Sequence, residues 1–365
     1  MTFLIAVGTL CTICGVLATL LVIADRYFND YGECKISIND GKKELTVQGG
    51  DTLLGSLTRS ALFIPSACGG RGSCAMCKCK VKSGGPPLLA TEEPHLTKEE
   101  ISENVRLSCQ VKVREDMAIE VPEELFSIRE YVGSVEQIID LNHDIKLLRL
   151  ALPAGEDIGI VPGQYVQLQA PKYAKNKTPV YRAYSVASDP QDKTHVDLCV
   201  RRVPNGICTT YVFEHLQERQ PVVFNGPYGD FRLTHTERDV VFIAGGSGMA
   251  PFLSMLAHIR NEGTTRNVTY FFGARARRDL ICLDQMAEFE RQIPTFRFVP
   301  CLSEPAEMDE WDGDVGLVTE VMKKYCEDLT EMEAYLCGSP GMIDASVAAL
   351  TSRGMPEENI FFDKF

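Results

Sequence analysis

Three cysteines fall within ten residues, in Cys68-Gly-Gly-Arg-Gly-Ser-Cys74-Ala-Met-Cys77, and a fourth follows in Ser108-Cys109-Gln110. Three thiols converging from so short a stretch demand a tight loop. The glycines at 69, 70 and 72 allow backbone conformations that other residues resist, and they let backbone N–H groups turn inward toward a bound sulfur. The residues before the loop read as a β-hairpin, Cys34-Lys-Ile-Ser-Ile-Asn-Asp-Gly41 and Glu44-Leu-Thr-Val-Gln-Gly-Gly50, with alternating apolar positions. Asp51 then stands as the N-cap of a helix predicted over residues 52–62. Cys79 alternates with lysines in Cys77-Lys-Cys79-Lys-Val81-Lys. That period turns its side chain to the buried face of a strand, where core packing suits it better than ligation.

The spacing C-x5-C-x2-C with a distant fourth cysteine is a one-residue variant of the pattern by which four thiolates hold a 2Fe-2S cluster. A zinc loop, the competing reading, calls for two C-x2-C pairs, and this cluster offers only one, Cys74 and Cys77. Fourteen cysteines among 365 residues are too sparse for a disulfide scaffold. Over residues 34–125 the chain resembles the plant- and adrenodoxin-like ferredoxins. The resemblance implies a β-grasp domain with Cys68, Cys74, Cys77 and Cys109 as the metal ligands. Arg71, Lys78, Lys80 and Lys82 surround the loop as a solvated face.

From Thr2 to Ala24 there is no charged residue. As a helix those residues rise about 34 Å, enough for a hydrocarbon core of roughly 30 Å. A cleaved signal peptide would want a basic leader and a shorter apolar core, and no Lys or Arg precedes the stretch. Arg26, Lys35, Lys42 and Lys43 follow it, which predicts a single-pass anchor in the cytoplasmic membrane with the larger C-terminal part in the cytoplasm. Cys11 and Cys14, inside this stretch, read as small apolar fillers. A net charge of -13 argues against a nucleic-acid binder, and 45% hydrophobic with 24% charged residues against a disordered chain.

The middle third carries Arg182-Ala-Tyr184-Ser185, then Gly206-Ile-Cys-Thr209, then Gly226-Pro-Tyr-Gly229. Arginine pairs with phosphate in two-pronged fashion and tyrosine offers a flat ring with a polar tip. A helix predicted over residues 209–216 presents N-terminal amides that favour a pyrophosphate. In this order and at these separations the three elements resemble the flavin domain of the ferredoxin–NADP reductase family. The resemblance implies FAD on a six-stranded antiparallel barrel over residues 127–235. Arg182 would pair with phosphate, Tyr184 lie against the isoalloxazine and Ser185 bond the reactive flavin nitrogen. Gly206 and Thr209 would hold the pyrophosphate.

The last third alternates strands and helices, which predicts a doubly wound parallel sheet with its ligand at the carboxyl ends of the strands. A β-branched strand over residues 239–244 runs into Gly245-Gly246-Ser-Gly248-Met-Ala-Pro251 and a helix over 252–261, the geometry that sets a phosphate on helix-terminal amides. With Gly273-Ala274-Arg275, Cys337-Gly338-Ser-Pro and the closing Asp363-Lys-Phe365, it resembles the nicotinamide domain of the same family. The resemblance implies pyrophosphate at Gly245, Gly246 and Gly248, further nucleotide contacts at Gly273 and Arg275, nicotinamide near Cys337 and Gly338, and Phe365 covering the flavin. Ser185, Cys337 and Phe365 would then stand at the hydride step, although Cys337 reads equally well as a buried thiol behind the ring. Arg275, Arg277 and Arg278 sit where a 2′-phosphate would be read, so NADPH stays open, while the G-A-R start resembles NADH-using members.

Four segments follow: an anchor at 1–25, a ferredoxin domain at 33–125, an FAD barrel at 126–236 and an NAD-binding domain at 237–365. In this order they resemble the family of F subunits of the sodium-translocating NADH:quinone reductases. That implies electrons passing from NADH through FAD to a 2Fe-2S cluster and on to other membrane subunits of a respiratory complex that reduces ubiquinone. NADH delivers two electrons together, a flavin accepts the pair, and a cluster carries them singly. A reductase component of a multicomponent oxygenase uses the same three modules and is the second reading. A tethered ferredoxin-like carrier with a degenerate nucleotide domain is the third.

Overall fold

The uncharged start of the chain is helical, α1 (Thr2–Phe28). The computed structural model describes residues 2–28, 31–174 and 176–364. Along α1 every described side chain, residues 7–20, is exposed, with Val7, Leu10, Ile13, Val16, Leu17 and Leu20 among them. Those residues rise about 21 Å against a hydrocarbon core of roughly 30 Å. Among the described residues no helix is long and apolar enough to cross a membrane; the span expected over 2–24 extends beyond these described side chains.

The chain separates into two units, Met1–Ser127 and Ile128–Phe365. In the first, the predicted hairpin is β1 (Glu33–Ile38) and β2 (Lys43–Gln48), paired antiparallel with Cys34 opposite Val47. Then come α2 (Leu53–Arg59), β3 (Lys78–Ser83), α3 (Lys98–Ser102), β4 (Val105–Leu107) and β5 (Met117–Glu120). The sheet order is β2-β1-β5-β3-β4. Helix α2 is shorter than predicted, and its N-cap is Thr52, whose hydroxyl accepts the Gly55 N–H. Asp51 instead accepts the Thr52 N–H and pairs with Arg59. A carboxylate one residue further out serves the helix through its charge and leaves the cap to the hydroxyl.

The second unit begins with β6 (Arg129–Asp140), β7 (Ile145–Ala151), β8 (Tyr165–Ala170), β9 (Val180–Ser185), β10 (His195–Arg201), α4 (Ile207–Glu214) and β11 (Pro221–Tyr228). The strands run in the order β10-β7-β6-β11-β8-β9, and a Val186–Leu198 bridge joins the two edges into a barrel. Leu148, Leu150, Val166, Leu168, Leu198 and Phe224 fill it. Helix α4 starts two residues before the predicted 209, because Gly206 takes the extended N-cap conformation.

The remainder is β12 (Val240–Gly245), α5 (Ala250–Glu262), β13 (Val268–Ala274), α6 (Leu283–Gln292), β14 (Phe296–Leu302), β15 (Asp314–Val315), α7 (Val318–Tyr325), β16 (Glu333–Gly338), α8 (Pro340–Thr351) and β17 (Ile360–Lys364). All pairs are parallel, in the order β15-β14-β13-β12-β16-β17. Side-chain alternation divides the core between two faces. Phe242 meets Phe252, Tyr270 and Tyr335 on one, and Val241 and Ile243 meet Phe271, Leu336 and Ile343 on the other. The strand order reverses between β12 and β16, the crevice where such sheets bind ligands.

Candidate functional site

In the first unit the loop after α2 turns on Gly69, Gly70 and Gly72, all at positive φ. Those turns aim backbone amides at sulfur. The Arg71 N–H donates to Cys68 Sγ at 3.2 Å, and Gln110 Nε2 lies 3.5 Å from Cys109 Sγ. The four thiols fall into two neighbouring pairs, Cys68 with Cys74 and Cys77 with Cys109, each member shifting the other's titration. The neighbouring Cys74 thiol, with N–H groups of Ser73, Cys74 and Arg71, holds the Cys68 thiol far below its ordinary range, and the neighbouring Cys77 thiol lowers Cys109. Among the described residues no set of three or more His, Cys, Asp or Glu closes on a single metal ion. Two thiol pairs bracketed by inward amides suit a group with two irons, each taking two thiolates. The donor set thus fits a 2Fe-2S cluster.

Cys79 lies beneath, 3% exposed on β3, and burial pushes its thiol up to about 12. Beside it Glu92 and Arg106, 0% and 3% exposed, form a two-pronged pair. Arg106 also donates to the Pro86 and Pro87 carbonyls, and Glu92 accepts the Leu107 N–H. Ser108 donates to the Cys77 carbonyl at 2.8 Å, so this buried pair leads straight into the loop bearing Cys109. The surrounding lysines are partnered: Lys78 with Glu100, Lys80 with Glu103, Lys82 with Asp40 and Glu120.

In the barrel, β9 is half-buried along its whole length with no inward–outward alternation. A strand whose two faces are both partly open lines something other than the core alone. Arg182 and Tyr184 share one face of it; burial, and then the neighbouring Cys208 thiol in the first turn of α4, raise the Tyr184 hydroxyl well above its ordinary range. Thr209 is buried, and its hydroxyl bonds the Val203 and Gly206 carbonyls, pinning the turn that leads into α4. A cation, a phenol and helix-start amides therefore meet here, a donor set that fits a flavin nucleotide's pyrophosphate. At the end of β9 the Ser185 hydroxyl donates to Asp363 at 3.3 Å. Burial raises the Asp363 carboxyl above its usual range, with the Ser185 bond opposing.

At the reversal between β12 and β16, the chain leaves β12 through a 3₁₀ turn, Gly246–Met249, and enters α5 with Pro251 in its first turn. A Cβ on Gly248 would stand 2.2 Å from the Cys337 carbonyl oxygen, so only glycine lets this turn close over the end of β16. A Cβ on Gly246 would lie 3.2 Å from Arg201 Nη1, which brings a guanidinium from β10 to the turn. Gly245 and Gly273 are register partners, and Gly338 ends β16. Cys337 is fully buried in the core between these strands; burial, then Asp363, raises its thiol far above the ordinary range. Arg275 pairs with Glu304. Phe365 lies outside the described residues.

Sequence patterns assign no role to Arg201 and miss the Ser185–Asp363 bond, whose partners are 178 residues apart. The doubled arginine in Cys199-Val-Arg-Arg is the available signal for the former. No local pattern marks the latter.

Residues 36–114 match the family described as a 2Fe-2S iron-sulfur cluster binding domain, 133–233 an oxidoreductase FAD-binding domain, and 242–348 an oxidoreductase NAD-binding domain. The chain is similar to an Amycolatopsis cytochrome P450 reductase, at 28% identity and TM-score 0.73 over 91% of this chain and 98% of that one. It shares its fold with the ferredoxin reductase of a carbazole 1,9a-dioxygenase, at 24% identity and TM-score 0.69 over the same shares. Fold and site thus define an oxidoreductase that joins a nicotinamide, a flavin and an iron–sulfur module in one chain.

Among curated proteins it is 36% identical to the F subunit of the Na(+)-translocating NADH-quinone reductase of Neisseria meningitidis, covering 96% of each chain. It is 34% identical to its counterpart in Actinobacillus succinogenes, covering 100% of this chain and 98% of the other. The chain belongs to this family, the F subunits of Na(+)-translocating NADH-quinone reductases. It is an NADH oxidoreductase that passes electrons from NADH through FAD to a 2Fe-2S cluster.

Proposed function

We propose that the chain is the membrane-anchored electron-input subunit of a respiratory NADH:quinone reductase, held in the membrane by α1 and delivering electrons to integral-membrane partners. In this reading Cys68, Cys74, Cys77 and Cys109 hold the cluster. Arg182 and the start of α4 hold the flavin's pyrophosphate, with Tyr184 against its ring and Ser185 at its reactive nitrogen. Residues 245–248 seat the nicotinamide dinucleotide, Arg201 supplies its counter-charge, and Cys337 and Gly338 form the floor at its nicotinamide end. A flavin held there would supply the exchange between the electron pair that NADH gives up as one hydride and the single electrons that a 2Fe-2S cluster can carry.

The protein's own work is placement. The observation that carries the reading is the Ser185–Asp363 bond, since it brings the strand that would face the flavin to the sheet end beside the β12–β16 reversal. The Ser185 hydroxyl donates its proton in a hydrogen bond to Asp363 at that junction, and the turn at Gly248 closes tightly over the end of β16. The anchor is supported by apolar side chains exposed around the described part of α1. The quinone, the sodium dependence and the multi-subunit setting are carried over from the names of the relatives.

The test is gentle purification of the tagged full chain from its native membranes. Integral-membrane subunits should accompany it, together with NADH-dependent quinone reduction stimulated by sodium ions. The likeness to a cytochrome P450 reductase favours the second reading, a reductase that feeds an oxygenase. Recovery of an oxygenase component with no quinone reduction would replace the first reading by that one.

A further inference from the structure

Three arginines after β13 leave the choice between NADH and NADPH open on sequence grounds, and what faces them decides it. Gly273 is in register with Gly245 on one side and Cys301 on the other, so the segments leaving β13 and β14 emerge side by side at the carboxyl edge. Ser303 donates its N–H to the Ala274 carbonyl at 3.0 Å and Glu304 donates its N–H to the Arg275 carbonyl at 2.8 Å. This clamp sets Glu304 beside Arg275, whose Nη2 donates to Oε2 at 3.2 Å. Arg277 is bound to Asp309, through Nη1 to its carbonyl and through its own N–H to its carboxylate. Arg278 lies 4.0 Å from Asp279. Each arginine that would greet a 2′-phosphate is met by an acidic residue.

The position is the adenosine side of the site proposed above, on which this inference rests. With pyrophosphate over the end of β12 and nicotinamide over β16, the other half of the dinucleotide runs over β13, the opposite neighbour of β12. Arg275 and Glu304 are 76% and 65% exposed, so a ribose approaching from solvent meets both.

We propose that Glu304 is the specificity-determining residue for NADH over NADPH. Its carboxylate accepts hydrogen bonds from the adenosine ribose hydroxyls, repels a 2′-phosphate and holds Arg275 as counter-ion, so that the guanidinium is not left to pair with that phosphate. One unit charge a few Å from a phosphate near the protein surface changes affinity about tenfold or more.

The experiment is isothermal titration of the full chain with 5′-ADP and with 2′,5′-ADP, probes that need no redox step. The ratio of affinities should favour 5′-ADP in the unaltered chain and shift about tenfold toward 2′,5′-ADP in Glu304→Gln. Adding Arg275→Gln should remove that gain, and the NADPH-to-NADH ratio of kcat/KM should move with the binding ratio. An unchanged ratio in Glu304→Gln while 5′-ADP still binds overturns the assignment of Glu304. Failure of the unaltered chain to bind 5′-ADP overturns instead the nucleotide placement beneath it.

Discussion

Asp363 is buried enough to resist ionisation, yet it accepts a hydrogen bond from Ser185. Its carboxyl is raised above the usual range, so the folded chain holds that proton more tightly than the unfolded chain does. The stability it contributes is whole below the ordinary carboxylate range and is lost as pH rises through the raised value. Asparagine has no proton to lose. We therefore expect Tm of the unaltered chain to fall relative to Asp363→Asn from about pH 4 upward, and parallel Tm–pH curves would contradict this. Cys79 makes a second case at the same scale. Its alternation with lysines is readable in the sequence, and its burial follows that period. Cys79→Ala should keep the full content of iron and acid-labile sulfide and cost about 1 kcal/mol in chemical denaturation, the usual scale for removing a small buried group. Loss of the cluster would make Cys79 a ligand after all.

Elements are where the sequence is most legible, and their ends where it is least. The hairpin of β1 and β2 and the parallel sheet follow from apolar period and length, because burial on one face or two imposes that period, whereas the barrel is implied by the family resemblance, and its strand β9 shows no alternation at all. Helix starts move by a residue or two, since capping depends on which of Asp51 and Thr52 reaches the free amides, and a string of letters does not show that. The thiols and the glycine turns are legible because their geometry is local. Glu304 and the Glu92–Arg106 pair are not, because each takes its meaning from a neighbour brought up by the fold. The latter pair ties residues 86–92 to β4 and the Cys109 loop. Removing one partner strands a buried charge, which costs about 3–5 kcal/mol. Glu92→Gln and Arg106→Met should each lose about that much, and the double variant should recover a good part of it. Denaturant melts of the cluster-loaded chain measure this, with the visible absorption of the cluster as a second readout. Single variants within about 1 kcal/mol of the parent would show that the pair does not hold the loop.

At the scale of the whole molecule the two units and α1 divide the labour. The unit Met1–Ser127 carries the thiol loop, and Ile128–Phe365 carries the barrel and the nucleotide sheet. Each has its own core, so neither needs α1 to fill it. The described face of α1 is apolar on every side, with Leu10, Ile13, Val16, Leu17 and Leu20 more than half exposed. Such a surface is costly in water at about 25 cal/mol per Å². A helix hydrophobic all round belongs in a membrane or against a partner. Deleting residues 1–28 should therefore move the chain from the membrane to the soluble fraction while flavin, iron and NADH-dependent reduction of a small artificial acceptor are retained. Quinone reduction in reconstituted membranes should fall by about tenfold or more, because tethering supplies an effective concentration in the millimolar range that a free chain lacks. Equal quinone reduction with and without α1 would mean that recognition by the folded units, rather than the anchor, brings this chain to its acceptor.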